Sequence, residues 1–300
     1  MPLRTAGFGN CIVFFCEQFP DITKELAIAI LFIPSVVFWG SGLLKDTITF
    51  SAAGWLIYTF YKILNNKPKI KYLVYLITSA FLLLSIKPYI LYTILIASSV
   101  WLAIHYLKKL PTLIEKYIYA PVFLLFFSAI TILATIQLGK DQGHFSIATS
   151  ENELQVKQSE NIANSTFKKE QVGNTYMSII KSIPSNLGAS LFRPYFWEAK
   201  SAITVLAALE SFFLLIFLVW ILIKFKLSLL LKFLFSNPFL VFSLVYILIL
   251  SFVAALYTDN FGTLNRFRIP VLPFFISLCF ILKSEGEKWK LNQEKIIELR

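Results

Sequence analysis

The chain has 300 residues, 57% of them hydrophobic and only 15% charged, with a mean hydropathy of +0.70. Soluble domains carry about a quarter charged residues and under half apolar ones, so a water-solvated globule is excluded and lipid is the solvent that fits. The formal net charge is +11, from 28 Lys and Arg against 17 Asp and Glu. Most of these basic residues sit in short segments between apolar runs, which fits membrane topology rather than a nucleic-acid partner.

Residues 11–15 are too short an apolar run for a signal peptide, and Glu17 and Asp21 follow them without a small-residue cleavage pattern. A helix needs about 20 apolar residues to cross the hydrocarbon core. Candidate spans lie at 26–44, 47–64, 72–86, 89–107, 117–138, 202–223, 238–257 and 269–283. The fold class expected is therefore all-α, a polytopic membrane helix bundle of about eight spans. Residues 227–235 are too short to cross and read as an interfacial helix, with Lys232 at the headgroups.

With residues 1–25 placed in the cytoplasm, 17 of the 28 basic residues fall in cytoplasmic segments. Only four (Lys45, Lys87, Arg266 and Arg268) fall in short external ones, and the other seven lie in the long external segment 139–201. The positive-inside rule thus predicts an N-in/C-in protein: one transmembrane domain over 1–283, and a cytoplasmic tail over 284–300. In the external segment, roughly 140–175 reads as a polar mobile loop. From Tyr176 an amphipathic stretch is expected along the outer interface, broken at Pro184.

The unusual polar residues gather at the expected outer face. Pro34 removes a backbone donor in the first span, and polar backbone freed there must be met by protein or by a water-filled cavity. Lys45 and Asp46 fit either an interfacial turn or the rim of such a cavity. Lys87, in the short turn Ser85-Ile86-Lys87-Pro88-Tyr89, either snorkels to the headgroups or points inward to an anion. Arg266-Phe267-Arg268-Ile269-Pro270 reads as extended ahead of the proline, with both arginines on one side as a two-pronged cationic clamp. Lipid headgroups and a specific phosphate ligand would both suit that clamp, and Asp259 and Asn260 could position it. Arg193 and Glu198 flank Tyr195, Phe196 and Trp197, which fit an interfacial aromatic belt or a sugar-stacking surface. Glu210 lies inside the sixth span, roughly 12 Å from its outer end. It is either functional or structurally neutralised.

Cys11, Cys16, Cys279, His105 and His144 show no metal-ligand spacing, so neither a metal site nor a disulfide framework is expected. No P-loop or other glycine-rich phosphate cradle points to nucleotide use, and no cofactor is expected. Cations, aromatics and carboxylates on one face suit a polyprenyl-pyrophosphate carrying a saccharide.

At these residues the chain resembles bacterial membrane proteins of surface-polysaccharide synthesis. The run Ile33-Pro34-Ser35-Val36-Val37-Phe38-Trp39-Gly40-Ser41-Gly42-Leu43-Leu44-Lys45-Asp46 is similar to a stretch met in oligosaccharide repeat-unit (O-antigen-type) polymerases and in relatives of GT-C glycosyltransferases. Leu191-Phe192-Arg193-Pro194 with Trp197-Glu198-Ala199, and Asn260-Phe261-Gly262 with Arg266-Phe267-Arg268, look like later motifs of the same proteins. The resemblance implies transfer of a lipid-linked glycan at the outer face of the inner membrane, without a bound metal. It implies carrier-pyrophosphate binding by Arg193, Arg266 and Arg268, helped by Lys45 and Lys87. On the residue reading, Glu198, Glu210 or Asp46 would serve as base or acceptor-orienting group, and Trp39, Tyr195 and Trp197 would stack on the glycan. Other polysaccharide-assembly proteins are expected partners. Such proteins have further spans before the first motif and, in GT-C enzymes, an acidic base in an early outer loop. The chain is therefore expected to be N-terminally shortened. A transporter for lipid-linked sugar and a non-catalytic subunit of the pathway are the alternative readings.

Overall fold

The computed structural model describes residues 11–40, 45–65, 69–109, 176–258 and 260–298, with single helical positions at Val122, Leu125 and Ala129. The rest of the span expected at 117–138, the loop expected at 140–175, and Asp259 lie outside the described residues. What is described is helical, without strands.

The helices are α1 (11–18), α2 (Thr23–Leu31), α3 (Pro34–Gly40), α4 (Lys45–Asn65), α5 (Ile70–Ile86) and α6 (Pro88–Lys109). Then follow α7 (Tyr176–Phe192), α8 (Ala202–Lys224), α9 (Leu227–Ser236), α10 (Pro238–Tyr257), α11 (Phe261–Phe267) and α12 (Leu272–Glu298). Local chemistry sets several of these boundaries. Ser201 and Thr204 form a reciprocal cap at the start of α8. Asn237 accepts from the Phe239 N–H, with Pro238 in the first turn of α10. Asn260 accepts from the Gly262 N–H at 2.8 Å and starts α11.

Three helices are long and apolar enough to cross a membrane, over Pro88–Lys108, Ala202–Lys224 and Pro238–Ala255. A fourth crossing is available if α11 and α12, bent by 61° at their break, count as one. These agree with the spans expected at 89–107, 202–223, 238–257 and 269–283. Helix α12 runs on to Glu298, so most of the expected tail continues it as helix. Helix α5 is apolar but shorter, as is α9. Helix α4 has the length to cross but is not among the sufficiently apolar helices; Asp46, Thr47, Thr49 and Thr59 are buried along it. The described part of the span expected at 26–44, up to residue 40, is two short helices, parted at Phe32–Ile33 where Pro34 cannot supply an N–H.

One other expectation changes, and one helix was not anticipated. Helix α7 continues through Pro184, whose ring is exposed, and packs against α10 and α8. Its buried positions include Ser182, Asn186 and Ser190, so the apolar stripe read from the sequence is not its only inward face. Residues 11–18 form a helix that plugs the bundle. Phe14 and Phe15 are buried against Phe239 at ring distances of 4.6 and 5.2 Å, and Phe14 meets Tyr61 at 5.0 Å. Trp101, 5.1 Å from Phe242, extends this aromatic core into α6 and α10. Edge-on ring pairs of this kind add to burial, because a ring's positive edge meets a negative face.

Helix α10 is the hub, in contact with α6, α7, α9, α11 and α12. Among the described residues, ion-paired side chains separate to the two ends of the bundle. Asp46 opens α4 and Lys62 closes it, about 24 Å away at the helical rise. At the Lys62 end lie the pairs Lys62–Glu17, Lys288–Asp21 and Lys224–Glu287, at 2.6, 2.7 and 2.6 Å. At the Asp46 end lie the candidate site residues.

Candidate functional site at one end of the bundle

Asp46 sits in the first turn of α4, where a carboxylate also complements the helix dipole, and it is only 3% exposed. Burying a carboxylate requires cationic partners, and two converge on it. Lys87 reaches Asp46 Oδ1, while Arg266 places Nε and Nη2 on Oδ2 at 2.9 and 2.8 Å. Three separate helix ends thus meet at one carboxylate. Lys87 occupies the single residue between α5 and α6, so its side chain turns inward, as one of the two sequence readings held. It also stands 5.2 Å from the centre of the Phe267 ring. The Arg266 guanidinium lies 5.3 Å from the Trp39 ring centre and remains 42% exposed. Lys45 is exposed next to Asp46, with no ion pair among the described residues. The group carries one positive charge in excess, or two with Lys45.

The second group lies deeper. Arg268 is fully buried, and its Nη1 donates to the Arg193 carbonyl and to Ser211 Oγ, both at 2.9 Å. Its Nη2 stands 3.5 Å from Glu210 Oε1, an ion pair rather than a hydrogen bond. Glu210 Oε2 accepts the Ser35 N–H at 2.7 Å, so the backbone donor beside the break at Pro34 is met by protein. Nearer the surface, Arg193 pairs with Glu198 at 3.3 Å and its guanidinium stands 5.7 Å from the Tyr195 ring centre. Glu198 also accepts the Tyr195 N–H at 2.9 Å. The Tyr195 and Trp197 rings stack at 4.9 Å, and Trp197 is 80% exposed.

The two-pronged clamp expected of Arg266 and Arg268 is not formed. Residues 261–267 are helical rather than extended, and Arg268 caps that helix in an αR conformation. Positions i and i+2 diverge on a helix, so Arg266 turns to the rim and Arg268 into the bundle. The two groups remain mechanically joined. Helix α3 gives Ser35 to the deeper one and Trp39 to the outer one, while Arg266 and Arg268 flank Phe267. Sequence reasoning missed Ser211 and Phe267. Ser211 follows Glu210 directly within an apolar run, a signal for a buried polar pair that was legible.

Among the described residues no group of three or more His, Cys, Asp or Glu is placed to hold a metal ion. Chemically, the outer group offers cations already gathered on a carboxylate, next to an indole and open on the Arg266 side. Cations so arranged have the chemistry to pair with an anion of phosphate size. In comparisons with protein-family models, curated proteins and solved structures, nothing matches the chain.

Proposed function

We propose that the chain is a bacterial inner-membrane polymerase or glycosyltransferase of cell-surface polysaccharide synthesis, acting at the outer face on polyprenyl-pyrophosphate-linked saccharide. The observation that carries this reading is the convergence of Lys87 and Arg266 on buried Asp46. It leaves a net cationic rim at one end of an apolar bundle, where a lipid diphosphate presents its charge. In the reaction, an acceptor sugar hydroxyl attacks the anomeric carbon, the bond from that carbon to the diphosphate oxygen breaks, and the carrier diphosphate leaves. Arg266 and Lys87 stabilise the charge developing on the leaving oxygen. Asp46 holds both cations in place, which suits a positioning role better than that of a base. Glu210, engaged by Ser35 and Arg268, is likewise a positioning group. Glu198 is the most exposed of the three carboxylates, at 17% against 2% and 5%, and is assigned to take the acceptor proton. The Tyr195–Trp197 stack suits the glycan, while Trp39 supports Arg266.

A transporter of the same lipid-linked sugar is the second reading, favoured by one observation. The α2/α3 and α11/α12 pairs are both broken, and paired broken helices are a transporter feature. Cells depending on this chain separate the readings. For the polymerase, Arg266→Ala abolishes polymer while lipid-linked repeat units accumulate on the outer face. For the transporter, the same units accumulate on the inner face. Unchanged polymer overturns both.

A further inference from the structure

The end of the bundle away from Asp46 holds a second cationic group, independent of the proposed chemistry. Lys224 closes α8, and its Nζ lies 4.6 Å from the Trp220 ring centre and 5.4 Å from that of Phe225. From α12, Lys283 stands 5.8 Å from the Trp220 ring centre and Lys290 4.9 Å from that of Phe225. Lys290 also donates to the Lys224 carbonyl at 3.1 Å, tying the end of one helix to the other. The spacing explains the grouping, since Lys283, Glu287 and Lys290 share one face of a helix. Three lysines therefore surround two rings, with Glu287 as the one carboxylate paired to them among the described residues. Two positive charges remain in excess.

The rings are seated by close backbone approach. A Cβ on Gly286 would fall 2.6 Å from two Phe225 ring atoms, so only glycine lets that ring lie against α12. From Trp220 an aromatic track climbs the α8 surface. Trp220 stacks on Phe217 at 6.2 Å, Phe217 on Phe213 at 6.3 Å, and Phe280 of α12 meets Phe217 at 5.1 Å. Phe213 is 67% exposed and Trp220 42%. The track covers about 10 Å of helix and begins at the lysines.

We propose that this α8–α12 seam is a binding site for an anionic phospholipid, its phosphate among Lys224, Lys283 and Lys290 and an acyl chain along the Trp220–Phe217–Phe213 track. A soluble phosphate would use the lysines but not the track. General attraction of an anionic leaflet would draw equally on Lys226 and Lys232, exposed on and beside α9.

The test uses the full chain in phosphatidylcholine vesicles containing brominated phosphatidylglycerol or brominated phosphatidylcholine. Trp220 emission is taken as the difference between the wild type and Trp220→Phe. The brominated anionic lipid half-saturates quenching at a mole fraction lower by about fivefold per lysine engaged. Lys283→Gln, which removes no ion pair, narrows that gap. Lys224→Gln with Lys290→Gln narrows it further, while Lys226→Gln with Lys232→Gln leaves it. Equal quenching by the two lipids overturns the site, as does an equal loss in the Lys226/Lys232 variant. Relief of quenching by inorganic phosphate at constant ionic strength overturns the assignment to lipid. Helical circular dichroism and a monodisperse elution profile establish that each variant is folded.

Discussion

Asp46 Oδ2 receives both Nε and Nη2 of Arg266, leaving Oδ1 to Lys87. The arginine thus approaches one oxygen rather than forking across two, and its pairing requires helices far apart in sequence to close on α4.

Because Asp46 organises two cations, its charge matters more than its volume. Asp46→Asn is expected to lower polymer formation by roughly two to three orders of magnitude, comparable with losing one electrostatic donor, while the protein still inserts. Exchanging the partners, Asp46→Arg with Arg266→Asp, would set an arginine against Lys87 and should restore neither polymer nor full thermal stability. A swap that recovers full polymer would show the pair to be only a structural tie.

The buried pair Glu210–Arg268 obeys a different logic. Removing one member strands the other away from water, at a cost of about 3–5 kcal/mol. Arg268→Met and Glu210→Leu should each lower the unfolding temperature in detergent markedly. The double variant should recover only part of the loss, because no uncompensated charge remains but the Ser35 N–H and the Arg193 carbonyl lose their partners. Additive losses would argue against direct coupling.

Thiol reactivity reports on the α1 plug. Cys11 is 2% exposed, and burial pushes its thiol up to about 12, so little thiolate exists at neutral pH. Cys16 on the same helix is partly exposed, and Cys279 is buried in α12. A maleimide should modify Cys16 alone in the folded protein and all three cysteines after denaturation. Early modification of Cys11 would mean that α1 does not pack as described. Phe14→Ala should both destabilise the protein, by about 3–5 kcal/mol, and expose Cys11.

Gly286 offers a steric test. Gly286→Ala drives a methyl group into the Phe225 ring and should cost about 1–3 kcal/mol as overpacking. Phe225→Leu in the same chain should relieve much of that loss, measured by unfolding in detergent.

The long apolar runs were legible because hydropathy alone marks them: α6, α8 and α10 fall within two residues of the expected spans. Pro34 signalled a lost backbone donor but not a full break, and the short turn at Lys87 left headgroups and bundle equally open, a choice settled only by its partner Asp46. The α1 plug was not legible, since Phe14 and Phe15 are apolar in any short run and only their partners on α10 reveal a buried helix. The direction of Arg268 was misread because local backbone preference ahead of Pro270 suggested extension. The Asn260 cap and the packing of Leu264 instead wound the preceding residues into α11. Pairings such as Asp46 with Arg266 depend on tertiary closure, which no local pattern encodes.

Helix α3 is only seven residues long, and its two ends serve different masters. Ser35 is moored to a carboxylate of α8, while Trp39, one turn further on, lies beside the guanidinium of Arg266. A body this short and stiff tilts as a unit. Any tilt of α3 would therefore register at both the Arg266 rim and the Glu210 contact, one helical turn apart.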